Sequence, residues 1–130
     1  MWRFIGKEPI RGKSSFAFKI EYSFDTRKLE SQKILGKYPE RVPIIVEKSK
    51  QSDLPELTKN KYLVNNNITV GNLLYIIRQD AKIKEFEGVF LFINDSILPP
   101  LSEKIGTLYE KYKDLDGFLY ICYTSETVFG

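Results

Sequence analysis

The sequence predicts an α+β domain in which one helix crosses a small mixed sheet. Three observations carry this. The runs VPIIVE (42–47), VFLFI (89–93) and FLYICYT (118–124) are short, rich in β-branched and aromatic residues, and bounded by turn formers, as strands are. Val70, Leu73, Leu74 and Ile77 recur at i, i+3, i+4 and i+7, the spacing of one buried helical face. Strand and helix patterns interleave along 130 residues, a length that suits one domain.

Taken in order, residues 1–15 hold Trp2, Phe4, Pro9, two glycines and four basic residues without a clear period, and read as an arm outside the core. Residues 24–37 lack proline and are dense in Lys, Glu, Gln and Leu, which favours a helix. Asp25 is its expected N-cap, and Gly36 and Pro39 supply the stop. In the strand at 42–47, Pro43 implies an edge or early-strand position. A polar connection with Ser52, Asp53 and Pro55 leads to KYLV, a second strand at 61–64 closed by a turn at 65–67. Thr69 is expected to cap the amphipathic helix. The run 89–93, apolar throughout, suits a strand buried on both faces.

Ser102 is the expected cap of a further helix with Ile105, Leu108, Tyr109 and Tyr112 on one face, and Asp116-Gly117 marks the turn into the last strand. Helix, strand, strand, helix, strand, helix, strand is the order of a ubiquitin-like β-grasp preceded by an N-terminal helical extension. Periodicity alone leaves it one of several α+β arrangements.

Composition removes several classes of function. The absence of histidine excludes Ser-His-Asp and Cys-His catalysis together with the commonest metal ligand. The eight glycines form neither GxGxxG nor GxxxxGK, so nucleotide chemistry has no support, and no cofactor is expected. The single Cys122 lies inside an apolar run and reads as a buried small hydrophobe, in keeping with a reducing cytoplasm. No apolar run approaches the roughly 20 residues of a membrane-spanning helix, so membrane attachment is expected to be acquired. Lys and Arg outnumber acids ten to five through Arg41 and trail them ten to twelve afterwards. A basic front suits an acidic protein partner or an anionic membrane surface, and equally a solvated face; without a dense Lys/Arg block, nucleic acid is not an expected partner.

Ordered segments along the chain carry a family resemblance: FKIEYSFDTRKLES from Phe18, KYPERVPIIVEK from Lys37, SDLPEL from Ser52, KYLV from Lys61, ITVGNLLYIIR from Ile68, FLFIND from Phe90, LPP from Leu98 and LYEKYKDLDGFLYICYT from Leu108. From about Phe18 to Gly130 the chain resembles the GABARAP-type autophagy modifiers, which are ubiquitin-like proteins. The resemblance divides it into an arm (1–17), a ubiquitin-like domain with an N-terminal helical extension (18–124) and a C-terminal conjugation tail (125–130).

It implies a non-enzymatic modifier ligated through Gly130 to phosphatidylethanolamine. Activating and conjugating enzymes would carry the glycine carboxylate as adenylate and thioesters, and a cysteine protease would process or delipidate it. The expected location is cytoplasmic, and on autophagosome membrane after lipidation. It also implies docking of autophagy receptors whose peptides carry an aromatic residue, two spacers and an aliphatic residue, added as a strand. Glu30, Ile34, Pro43, Ile45, Lys61, Leu63 and Phe118 would form the aromatic pocket. Tyr62, Val64, Ile68, Leu73 and Ile76 would form the aliphatic one, although Leu73 by itself reads first as core. Arg41, Lys59 and Lys61 would meet acids flanking the peptide.

Two departures from the family pattern bear on the aliphatic pocket: Asn65 stands where proline is usual and Asp80 where a basic residue is usual, so acidic peptide flanks would be repelled there. Trp2-Arg3-Phe4-Ile5 itself reads aromatic, two spacers, aliphatic, and either occupies such pockets or packs as a hydrophobic arm on its own domain. The alternative reading of the whole is an unconjugated ubiquitin-like adaptor for trafficking or cytoskeletal proteins.

Overall fold

The computed structural model describes residues 16–94 and 96–125, and all statements below concern these. The chain runs α1 (Ala17–Glu21), α2 (Phe24–Lys37), β1 (Arg41–Lys48), β2 (Lys61–Asn65), α3 (Val70–Asp80), β3 (Phe90–Ile93), α4 (Ile105–Tyr112) and β4 (Leu119–Thr124). The four strands lie in the order β2-β1-β4-β3. β1 is antiparallel to β2 and parallel to β4, and β3 is antiparallel to β4. This is the ubiquitin-like β-grasp with N-terminal helices.

Side-chain alternation divides the interior in two. Val42, Ile44 and Val46 of β1 and Leu119, Ile121 and Tyr123 of β4 join Val70, Leu73 and Ile77 of α3 and Ile105, Leu108 and Tyr109 of α4 in the larger core. On the opposite face Ile45, Phe92, Tyr120 and Cys122 meet Phe16, Phe18 and Phe118 in a smaller aromatic core. Strands buried on both faces read as unbroken apolar runs, which is why VFLFI and FLYICYT carry no period-two pattern.

Three helix starts show what local sequence does and does not specify. Thr69 caps α3 as expected: its hydroxyl accepts from the Asn72 amide at 3.1 Å while Asn72 Oδ1 accepts from the Thr69 amide at 3.0 Å. The cap of α2 is Ser23, not Asp25. The Ser23 hydroxyl accepts from the Thr26 amide, leaving Asp25 in the first turn, where a carboxylate still complements the helix dipole. Ser102 caps nothing, because α4 begins after Lys104 without a side-chain cap. The Ile105 and Gly106 amides donate instead to the Ile68 and Asn66 carbonyls at 2.8 and 2.9 Å.

Helix α1 has no local signature at all. The Ala17 and Phe18 amides donate to the Glu47 carboxylate of β1 at 2.8 and 2.9 Å, so a distant strand residue holds its start. Phe16 packs edge-on to Tyr120 at 5.1 Å and is buried. Cys122 is buried, in line with its reading as a small hydrophobe.

Pro43 lies early in β1, but β1 is a central strand, so the edge alternative does not hold. Its geometry explains the tolerance. Stepping back by twos from the Ser49 amide to Tyr123 carbonyl bond, the acceptor opposite residue 43 is the Gly117 carbonyl, and this accepts from the Tyr109 hydroxyl at 2.7 Å. No acceptor is orphaned by the missing proline N–H.

Candidate functional site

β2 ends the sheet on one side, and backbone parity fixes what it offers. The Val46 amide donates to the Asn60 carbonyl and the Asn66 amide to the Glu40 carbonyl, so even-numbered residues of β2 bond to β1. Lys61 and Leu63 therefore direct their N–H and C=O groups away from the sheet, as an added strand requires. At the other side β3 has only four residues, and its Ile93 amide already donates to the Ile97 carbonyl at 2.7 Å. β2 is the more open edge.

The expected pocket residues fall on the two faces beside this edge. Lys61 and Leu63 share one face with their register partners Ile45 and Pro43. Lys61 Nζ bridges to Glu30 Oε2 of α2 at 2.6 Å, and half-buried Ile34 lies one helical turn beyond Glu30. Ile45 and Phe118 are 0% and 3% exposed and belong to the smaller core, whereas Ile34 and Leu63 are half-buried and Lys61 is exposed. Tyr62 and Val64 face the other way, toward α3, where Ile68 and Ile76 are half-buried against the larger core. Leu73 is 0% exposed and belongs to that core outright.

The flanking cations are placed differently from one another. Exposed Lys59 holds its ammonium 5.9 Å from the Tyr62 ring, and Arg41 Nη1 stands 3.5 Å from the outward Leu63 carbonyl, at the limit of a hydrogen bond. Both lie along the edge.

Asp80, the acid standing where a basic residue is usual, is tied to the edge. Tyr62 donates its hydroxyl to Asp80 Oδ2 at 2.8 Å, across the groove between β2 and α3. Burial, followed by this bond to a carboxylate, pushes the Tyr62 hydroxyl pKa well up, so it remains a donor at any physiological pH. Asp80 itself is exposed. The eighteen-residue separation hides this pair from any local motif.

Among the described residues no group of three or more His, Cys, Asp or Glu could hold a metal ion, and no helix is long and apolar enough to cross a membrane. Gly130 and the arm at 1–15 lie outside the described residues.

A β-grasp domain with two helices ahead of its sheet, and β2 open along one edge, defines a ubiquitin-like protein. Residues 26–130 match the family model described as Autophagy protein Atg8 ubiquitin like, and the chain belongs to the Atg8 family. It is 48% identical over 113 residues to Autophagy-related protein 8 of Schizosaccharomyces pombe, covering 87% of this chain and 93% of that protein. It is 45% identical over 113 residues to Autophagy-related protein 8e of Arabidopsis thaliana, covering 87% and 92%. Trypanosoma brucei ATG8 shares the fold with a TM-score of 0.82 at 35% identity, covering 89% of this chain and 99% of that one. Plasmodium falciparum Atg8, solved in complex with a P. falciparum Atg3 peptide, does so with a TM-score of 0.78 at 36% identity, covering 86% and 98%.

Proposed function

We propose that the chain is a GABARAP-type ubiquitin-like modifier of autophagy, joined through Gly130 to phosphatidylethanolamine on autophagosomal membranes, which recruits receptors by adding their peptides to β2. The observation that supports the reading is the open β2 edge, with half-buried Ile34 and Leu63 on one face and Tyr62 and half-buried Ile76 on the other. In an extended strand residues i and i+3 point to opposite faces. A peptide lying along Lys61–Asn65 then sends an aromatic residue toward Ile34 and Leu63 and the aliphatic residue three positions later toward Tyr62 and Ile76. Backbone bonds to Lys61 and Leu63 supply affinity, and the two pockets supply selection.

Conjugation needs a carboxylate that partner enzymes can activate and a residue that lets their active sites close around the backbone, and glycine meets both needs. The Atg3 peptide seated on the Plasmodium relative supports conjugating enzymes as a partner class. Receptors with aromatic-x-x-aliphatic motifs and a processing cysteine protease complete the proposed set.

Incubation with activating and conjugating enzymes and phosphatidylethanolamine vesicles, beside a Gly130→Ala chain, tests the lipid arm. Lipidation of the unchanged chain and its loss in the variant is the expected result. Equal lipidation of both would remove Gly130 from the role, and none of either would favour an unconjugated adaptor.

A further inference from the structure

We propose that one occupant of the β2 edge is the chain's own N-terminus, with Trp2 in the pocket near Ile34 and Phe118, Ile5 in the pocket of Tyr62 and Ile76, and the Arg3 guanidinium on Asp80. Occupancy by the arm presupposes that the edge is a peptide site, and adds which peptide it takes.

Strand parity makes the assignment residue by residue. With Trp2 turned to the α2 face, Arg3 and Ile5 both turn to the α3 face. That is the face on which the exposed Asp80 carboxylate sits, anchored by the Tyr62 hydroxyl at 2.8 Å. Arginine suits this partner because its planar fork matches a carboxylate. Lys59, 5.9 Å from the Tyr62 ring, is the cation on the same side, so Asp80 is what makes a basic spacer acceptable there. Residues 1–15 are themselves basic, with Arg3, Lys7, Arg11 and Lys13 against Glu8. Two oddities of this chain, a basic arm and an exposed acid at position 80, thus complement one another.

The place where the arm joins the domain fits as well. Ala17, whose amide is fixed on Glu47, lines the same surface cleft as Lys59 and Asn60, immediately ahead of β2. Ten residues, 6–15, link Ile5 to Phe16. They span at most about 36 Å extended, whereas the five-residue strand β2 is only about 17 Å long. A covalent link of this length gives an effective concentration on the order of millimolar. A motif with a Kd of about 0.1 mM would then fill roughly nine-tenths of the sites and weaken competing peptides about tenfold.

The test uses the full chain, a full-length Trp2→Ala/Ile5→Ala variant, and two labelled peptides: residues 1–8 of this chain, and a control reading Glu-Glu-Trp-Glu-Phe-Ile. Both peptides should bind the double variant, and the unchanged chain should bind each about tenfold more weakly. Adding Asp80→Arg to the double variant should weaken the arm peptide several-fold and favour an arm peptide carrying Arg3→Glu. Equal affinity of the two chains, or indifference to Asp80→Arg, overturns the proposal. Binding of the control but not the arm peptide overturns it while leaving the peptide site standing, whereas binding of neither sinks both. Light scattering over a hundredfold concentration range should show a monomer. A mass that rises with concentration in the unchanged chain alone would assign the arm to a neighbouring copy and overturn the intramolecular link.

Discussion

Arg27 and Asp116 stand 89 residues apart in sequence and form an ion pair whose side chains are 10% and 0% exposed. The Asp116 carboxylate also accepts from the Tyr120 hydroxyl at 2.5 Å and the Phe118 amide at 2.9 Å, while the Ser31 hydroxyl donates to its backbone carbonyl. α2 is thereby fastened to the turn that starts β4. Removing one partner strands a buried charge, which typically costs about 3–5 kcal/mol. Arg27→Ala should lose stability of that order in chemical denaturation. A loss under about 1 kcal/mol would show that the pair does not hold α2 in place.

Backbone parity at the edge gives a sharper expectation. Proline at 63 removes only an outward N–H, whereas proline at 64 removes a ladder bond to β1 and should cost about 3 kcal/mol or more. Leu63→Pro should remain folded by circular dichroism and lose aromatic-x-x-aliphatic peptide binding, with Leu63→Ala as the control for the side chain. Retained binding in a folded Leu63→Pro chain would rule out strand addition.

The order of elements and the α3 cap were legible because each is written locally, as in Thr69 with Asn72 or the periodic Val70, Leu73 and Ile77. What escaped depends on contacts far along the chain. Helix α1 is held by Glu47, α4 by the Asn66 and Ile68 carbonyls, and Pro43 is accommodated by Tyr109. The candidate pocket residues could be named by resemblance, but which of them are buried and which half-buried required the fold: Ile45 and Leu73 look no different from Ile34 and Ile76 in sequence. Asp80 was visible as an anomaly, while its bond to Tyr62 was not.

Acid should expose a second link between the N-terminal helices and the β4 turn. Burial alone would raise the Asp114 carboxyl, but bonds from Lys19 Nζ at 2.6 Å and from the Asp116 amide outweigh it and hold the group below its ordinary value. A depressed carboxyl contributes stability that is present above its unfolded value of about 3.9 and is lost as pH falls through the folded one. Asp114→Asn should therefore lower stability at pH 7 and flatten its decline below pH 4. Denaturation midpoints with the same pH slope in both chains would contradict this.

Gly117 admits no side chain. Its φ is +94°, and a Cβ there would lie 2.2 Å from the Ser31 hydroxyl oxygen. Left-handed backbone alone costs an L-residue about 1–2 kcal/mol, and the displaced Ser31 would lose its bond to the Asp116 carbonyl. Gly117→Ala should destabilise by more than Gly36→Ala, where no atom lies within 4 Å of the added carbon. Equal thermal midpoints for the two variants would refute the steric account.

The parallel pairing of β1 with β4 has a mechanical consequence. Ile44–Lys48 align with Leu119–Tyr123 position by position, and β2 hangs on the far side of β1. Were such a chain tethered beyond β4 and towed by cargo clasped at β2, the tension would cross two ladders in series. Pulled along the strands, each ladder is loaded in shear, so its hydrogen bonds resist together and do not peel one after another. The Ser49 amide on the Tyr123 carbonyl extends the inner ladder by one bond at the end from which the C-terminal residues depart. A sheet wired in this order would pass such a load through both ladders before it reached the core.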